Sequence, residues 1–323
     1  MNVVRILGDT VNPMPESLIG DKFIIILEKK MKIRLSVAIL LCTLLTWTGL
    51  AQAQTAAHYP AGAEGIKGPQ LPPPGFYLRD YNYIYFADEF PEGPPEFDLA
   101  AYIQAPRLVW ITNRKVLGGF YGMDILIPFA YQDLDFTGFG DSDFDLSDIF
   151  VEPMTISWHE QKFDAAIGYG FWAPTGDFTS SMADIDSGKG FWSHMLTGGV
   201  TYYPDEAKTW SISALNRWEF KQKRDIDNFK AGQYWTIDWG VAKSITPTFE
   251  LGLAGYHQMA VTDAKVNSES IPDMKDHATA LGPEVTFAFP ANMFFISARY
   301  LFEVDTSNRP EGTTVNVTFT KKF

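Results

Sequence analysis

Ser157 and His159 stand two residues apart, and Ser193 is followed directly by His194. A serine that hands its proton to a histidine is the nucleophile of a hydrolase. The spacing argues against that chemistry. In a strand, Ser157 and His159 share a face at the edge of a short turn, with no evident third partner or oxyanion donor, while Ser193 and His194 face opposite sides. Ser211 would need a histidine from far along the chain. Each of the five histidines is instead expected to pack at an interface. The chain carries no phosphate-binding glycine loop, no cysteine cluster and no H-E-x-x-H. The reading is that it is not an enzyme and uses no cofactor.

The run Asp141-Ser142-Asp143-Phe144-Asp145, with Glu152, imitates the start and end of a calcium loop. Leu146 stands where that loop needs glycine, and 149–152 already reads as strand. No metal site is expected; the run reads as a solvated acidic loop that bridges to lipopolysaccharide through divalent ions.

A third set of charged residues is spread along the chain at one or two per segment: Asp164, Arg217, Glu219, Asp238, Glu284, Arg299 and Glu303. Each falls on the polar parity of a stretch that alternates with period two. From Trp210 to Phe220 the even positions are mostly apolar, while Ser211, Ser213, Arg217, Glu219 and Lys221 occupy the odd ones. The alternation recurs around Trp235, Ile237, Trp239 and Val241, and around Leu281, Val285, Phe287 and Phe289. In strands the two sets face opposite sides of a sheet. A soluble sandwich alternates too, so the connections must decide.

Twelve strands are expected, at 76–86, 100–112, 120–131, 149–158, 163–173, 191–203, 209–221, 234–243, 249–261, 278–289, 293–303 and 313–323. Long polar connections near 88–97, 135–148, 175–190, 224–232, 263–277 and 305–312 alternate with tight turns at 118–119, 159–162, 204–208, 246–247 and 290–292. Short turns on one rim and long loops on the other characterise an outer-membrane barrel. The fold class is therefore all-β, a transmembrane antiparallel β-barrel of about 12 strands, closed by pairing 76–86 with 313–323. Closure leaves no unpaired backbone edge in hydrocarbon. The ionisable set must then face the lumen, since a lipid-facing arginine near the midplane costs roughly 2–4 kcal/mol. There it forms either a polar constriction that binds solute or a mutually paired network that fills the barrel.

The N-terminus explains how such a chain reaches its membrane. Met31-Lys32-Ile33-Arg34, an apolar run from Leu35 to Leu50 and Ala51-Gln52-Ala53 make a secretory signal peptide at 31–53, with residues 1–30 ahead of it attributed to a start codon assigned too early. The one cysteine, Cys42, lies inside that signal. The apolar run is shorter than the roughly 20 residues of a transmembrane helix. The chain holds 26 basic against 39 acidic residues, a net charge of −13, which excludes nucleic acid as a charge-driven partner. The division expected is 1–53 removed, 54–74 a Pro/Gly-rich segment and 75–323 the barrel. His58 to Pro74 contains five prolines and three glycines and cannot be a regular strand or helix. It is either a plug folded into the lumen or a periplasmic tail.

His58-Tyr59-Pro60, Gly65-Ile66-Lys67, Pro72-Pro73-Pro74-Gly75-Phe76-Tyr77, Ser147-Asp148-Ile149-Phe150-Val151-Glu152-Pro153, Pro174-Thr175-Gly176-Asp177 and Gly188-Lys189-Gly190 resemble the outer-membrane family named for the meta-pathway of phenol degradation, also called SphA-like proteins. The resemblance runs from about Ala57 to Phe323. It implies a Gram-negative outer-membrane barrel that serves as an uptake channel for aromatic or other hydrophobic compounds, and it carries over no residue roles.

The expected function is passive uptake of small hydrophobic or aromatic solutes. Loop aromatics Phe136, Phe139, Phe144, Phe178 and Phe191 would either stack on the solute or form the interfacial girdle. The expected partners are outer-membrane lipid, lipopolysaccharide and the barrel assembly machinery, the last through the final aromatic strand ending in Phe323. The rival readings are a sealed structural or adhesion barrel and, behind it, a lipid hydrolase.

Overall fold

The computed structural model describes residues 57–179, 185–273 and 275–323. The export signal read at 31–53, with Cys42, and residues 54–56 of the following segment lie outside the described residues.

Seventeen strands follow in order: β1 (Gly75–Glu89), β2 (Asp98–Val116), β3 (Gly119–Leu126), β4 (Phe129–Phe136), β5 (Phe139–Leu146), β6 (Ile149–His159), β7 (Phe163–Ala173), β8 (Ser193–Tyr202), β9 (Trp210–Lys221), β10 (Phe229–Lys230), β11 (Tyr234–Thr246), β12 (Phe249–Ala260), β13 (Lys265–Val266), β14 (Glu269–Ser270), β15 (His277–Phe289), β16 (Phe294–Ser307) and β17 (Glu311–Lys322). Fourteen belong to one antiparallel sheet, which closes because β1 pairs with β2 on one side and β17 on the other. β3 and β4 are successive lengths of one stave, as are β5 and β6, so the wall has twelve staves. Pro128 has no backbone N–H and interrupts the ladder. Bonds from Ile127 N to Pro106 O (3.0 Å) and from Ser147 N to Pro128 O (2.9 Å) hold the wall across the break. Among the described residues no helix is long and apolar enough to cross a membrane.

The period-two pattern maps onto the wall as hydrocarbon requires. On β9, Ser211, Ser213, Leu215, Arg217, Glu219 and Lys221 are buried, while Trp210 and Ile212 are exposed. Leu251 and Leu253 on β12, Phe287 and Phe289 on β15 and Tyr300 and Phe302 on β16 are likewise exposed, at positions that alternate with inward side chains. Around the wall an apolar exterior therefore encloses a polar interior.

The connections sort as expected, with one correction. The turn between β2 and β3 is tight because Leu117 (φ 52°) and Gly118 (φ 81°) both adopt left-handed conformations, the signature of a two-residue hairpin turn. The stretch 135–148, read as a long loop, is instead mostly the β4–β5 hairpin, which extends the wall beyond its neighbours. Asp141, Asp143 and Asp145 satisfy strand alternation as well as loop polarity, which is why composition misread them. At the same rim β10, β13 and β14 form a small separate sheet. A cluster of Phe191, Phe229, Ala231, Tyr234 and Ala260 packs at that end.

Candidate functional site inside the barrel

Residues 57–74 run within the lumen, bonded to the inward faces of staves far away in sequence. The His58 backbone N–H donates to Glu219 Oε1 at 3.0 Å; its ring Nδ1 lies 3.2 Å from the same oxygen and 2.8 Å from Ser193 Oγ, and its Nε2 lies 2.8 Å from Asp148 Oδ2. Tyr59 donates its hydroxyl to Asp238 Oδ2 at 2.5 Å, and the Gly62 N–H donates to the other oxygen at 2.9 Å. Arg299 donates to the carbonyls of Gly62 (2.9 Å) and Ala63 (2.5 Å). Farther along, Ile66 N–H donates to Glu284 Oε2 at 2.9 Å, and Lys67 Nζ pairs with Glu250 at 2.7 Å. The wall accommodates this chain by omitting side chains where the backbones meet: a Cβ at Gly240 would lie 2.8 Å from the Ile66 Cα.

Glu64 ties the segment to its own continuation. Its carboxylate accepts from Arg79 Nη2 at 2.6 Å and from the Tyr81 hydroxyl at 2.6 Å, with Arg107 Nη1 at 3.9 Å. Arg107 in turn forks onto Asp124, with both bonds at 2.8 Å, and reaches Glu152 at 2.7 Å. Arg217 pairs with Asp238 at 3.1 Å and lies 4.0 Å over the Tyr59 ring. Buried charges survive only when paired and hydrogen-bonded, and this network meets that condition with both signs.

Two cavities flank the segment. The outer one, about 90 Å³, is lined by aromatic and apolar side chains that include Tyr59, Tyr81, Tyr83, Phe150, Trp172 and Met195. Its volume is several times the roughly 10–15 Å³ that one water needs. The second, about 640 Å³, lies toward the short-turn rim and is lined by Pro72, Tyr77, Arg79, Pro290, Met293 and Lys322 among others. The trace indole N–H of Trp172 and the Thr197 hydroxyl, both at the outer cavity, have no hydrogen-bond partner among the described residues.

The structure brings together five of the seven lumen candidates. Arg217, Glu219, Asp238, Glu284 and Arg299 all bond to residues 58–66 or to groups that do. Glu303 sits nearer the long-loop rim, accepting from Tyr256 at 2.6 Å and Tyr85 at 2.8 Å and facing Arg309 at 3.6 Å. Asp164 lies at the opposite rim, bonded to His159 Nδ1 (3.0 Å) and to the Tyr203 hydroxyl. The loop aromatics do not form one entrance. Phe136 and Phe139 stack at 4.9 Å at the tip of the β4–β5 hairpin, and Phe144 is exposed. Phe178 lies under the Arg224 guanidinium at 4.0 Å, and Phe191 is buried, edge-on to His58 at 5.3 Å.

His58 departs from the expectation of interfacial packing, because two lumen carboxylates bind it. Glu152 lies on β6, the stretch read as strand and not as the end of a calcium loop, and points inward as an ion-pair partner of Arg107. Among the described residues, no group of three or more His, Cys, Asp or Glu is arranged to hold a metal ion. Sequence reasoning passed over Glu64, Arg79, Arg107 and Asp124. Arg107 and Asp124 stand on the inward parity of their strands and could have been found by it; Glu64 carries no such signal.

The profile of the family described as "Putative MetA-pathway of phenol degradation" matches residues 82–319. The chain belongs to that family. No curated protein matches it. Among solved structures, this family member is similar to an outer membrane channel from Pseudomonas putida F1, with a TM-score of 0.69 and 13% identity over 83% of this chain and 100% of that one. It also matches the beta domain of the Bordetella autotransporter BrkA (TM-score 0.48, 11% identity, 77% of this chain and 99% of that one). A third match is the CymD monoaromatic hydrocarbon channel (TM-score 0.39, 9% identity, 77% and 89%). The first likeness shows that the family member has the fold of an outer-membrane barrel; the other two are too loose to carry an argument.

Proposed function

We propose that the protein is an outer-membrane channel for passive uptake of small hydrophobic or aromatic compounds, exported by a signal that is then cleaved. The observation that carries this reading is an aromatic-lined cavity inside a closed barrel, backed by a wider cavity that leads toward the short-turn rim. An apolar ring gains by leaving water for the outer cavity, and the Phe150 and Trp172 faces offer it stacking surfaces. The fold and the family membership support the same conclusion. Outward aromatic and aliphatic side chains meet lipid and lipopolysaccharide, and the final strand, with Phe323 exposed, is the part offered to the assembly machinery.

A hydrolase is disfavoured by the hydrogen bonding of the one serine among the described residues that meets a histidine and an acid. Ser193, His58 and Asp148 do form a chain of contacts, but His58 Nδ1 also faces Glu219, and Ser193 is fully buried. That geometry clamps an imidazole between two carboxylates and leaves no place for a scissile bond. A sealed structural barrel is the second reading, favoured by the many bonds that hold residues 58–67 across the lumen.

Uptake by intact cells separates the two. Cells producing the protein should take up a dilute single-ring aromatic faster than cells without it, and Met195→Trp, which fills the outer cavity, should remove the difference. Equal uptake with and without the protein would favour the sealed barrel.

A further inference from the structure

The two cavities share five lining residues: Glu64, Arg107, Glu152, Thr197 and Arg217. One layer of side chains therefore divides them. Glu64 comes from the lumen segment, and the other four come from β2, β6, β8 and β9. On the proposed reading of the barrel as a channel, a solute that leaves the outer cavity must cross this layer or displace the segment.

The bonding makes the two routes unequal. To leave, the segment must break His58 from Glu219 and Asp148, Tyr59 from Asp238, Ile66 from Glu284, and the Arg299 bonds to Gly62 and Ala63. The layer needs far less. Arg107 holds Asp124 with two bonds and Glu152 with one, so it can release Glu152 while its charge remains paired. Gly168 forms the seat of Glu152 and does not pin it: a Cβ there would stand 2.4 Å from Glu152 Oε1, so the carboxylate rests in the space a side chain would fill. The Thr155 and Thr197 hydroxyls, which line the inner cavity and have no partner among the described residues, can receive a carboxylate that turns.

We propose that the layer of Glu64, Arg107, Glu152, Thr197 and Arg217 sets the selectivity of the barrel, with the Arg107–Glu152 pair as the part that moves. An uncharged ring asks only that Arg107 release Glu152 as it passes, while Asp124 keeps the arginine paired and the Thr155 and Thr197 hydroxyls take up the carboxylate. A charged solute must first lose its hydration in the aromatic cavity, then enter a layer where both signs are already matched, and it is rejected. The segment stays in place and serves as the fixed wall of the passage.

The test uses the full chain in planar bilayers and in vesicles with a lipopolysaccharide outer leaflet. Glu152→Gln keeps the shape of the side chain but removes the carboxylate charge, so that an ion pair with Arg107 becomes a weaker bond from the guanidinium to a neutral oxygen. Arg107→Lys removes the fork that lets one cation hold two carboxylates. Both variants should raise single-channel conductance, and both should admit benzoate, which the unaltered protein should exclude. A Lys67→Cys, Glu250→Cys double variant joined by a short thiol crosslinker should conduct as it does before joining, because the segment need not leave. Unchanged conductance in both Glu152→Gln and Arg107→Lys, or conductance abolished by the tether, would overturn the proposal. Conductance that follows the expected pattern without uptake of any aromatic would support the layer and overturn the solute reading instead.

Discussion

His58 Nε2 lies 2.8 Å from Asp148 Oδ2 while the same ring's Nδ1 faces Glu219, so one imidazole joins the lumen segment to two staves. All three side chains are buried. Removing the ring strands two carboxylates, although Lys221 stays 3.4 Å from Glu219 and the Gly176 and Lys189 N–H groups stay on Asp148. His58→Ala should cost roughly 3 kcal/mol, at the low end for a broken buried pair. Trypsin cleavage after Lys67 in folded protein checks it: the variant should be cut and the unaltered chain resist.

The apolar exterior predicts an asymmetric response on β12. Leu253 is outward and about half exposed, near the middle of its strand. Leu253→Arg should destabilise the barrel in lipid by about 2–4 kcal/mol, and Leu253→Ala by much less. Urea-driven unfolding in vesicles, followed by tryptophan fluorescence, measures the difference.

Closure of the wall can be read by chemistry. Asn82 and Val317 are register partners between β1 and β17. Partnered Cα atoms in an antiparallel pair are about 4.5–5.5 Å apart, within disulfide reach. A cysteine pair at these positions should crosslink on oxidation and shift the migration of the denatured chain on a gel; a pair placed one stave further apart should not.

The short turn 204–208 carries a pH dependence of its own. Asp205 accepts from the Trp210 and Thr209 N–H groups at 2.9 Å each and from the Thr209 hydroxyl at 2.8 Å. The Trp210 and Thr209 N–H donors pull its pKa down to about 2. A carboxyl depressed in the folded state stabilises it above the unfolded pKa, near 3.9, and loses that contribution as pH falls through about 2. Asp205→Asn should therefore be less stable than the unaltered protein at neutral pH, and the two should converge near pH 2 in the same urea assay.

Much of this was legible in the amino-acid order, because a barrel in lipid forces each stave to alternate. Trp210 to Lys221 showed both which residues face lipid and which charges face inward, and the even number of strands pointed to closure. Two things were not legible. The β4–β5 hairpin was hidden because its alternate residues are aspartates, polar enough to read as loop. The site itself was hidden because it is built from contacts with no local period: His58 meets Glu219 across 161 positions and Ile66 meets Glu284 across 218. A proline-rich segment carries no repeat that announces its partners, so only folding reveals that Glu64 completes the layer begun by Arg107 and Glu152.

The central claim is tested most directly by the initial rate at which a neutral single-ring aromatic enters vesicles with a lipopolysaccharide outer leaflet. With the protein present the rate should exceed that of empty vesicles and should fall to the empty-vesicle value in Met195→Trp. Equal rates in all three preparations would contradict the account.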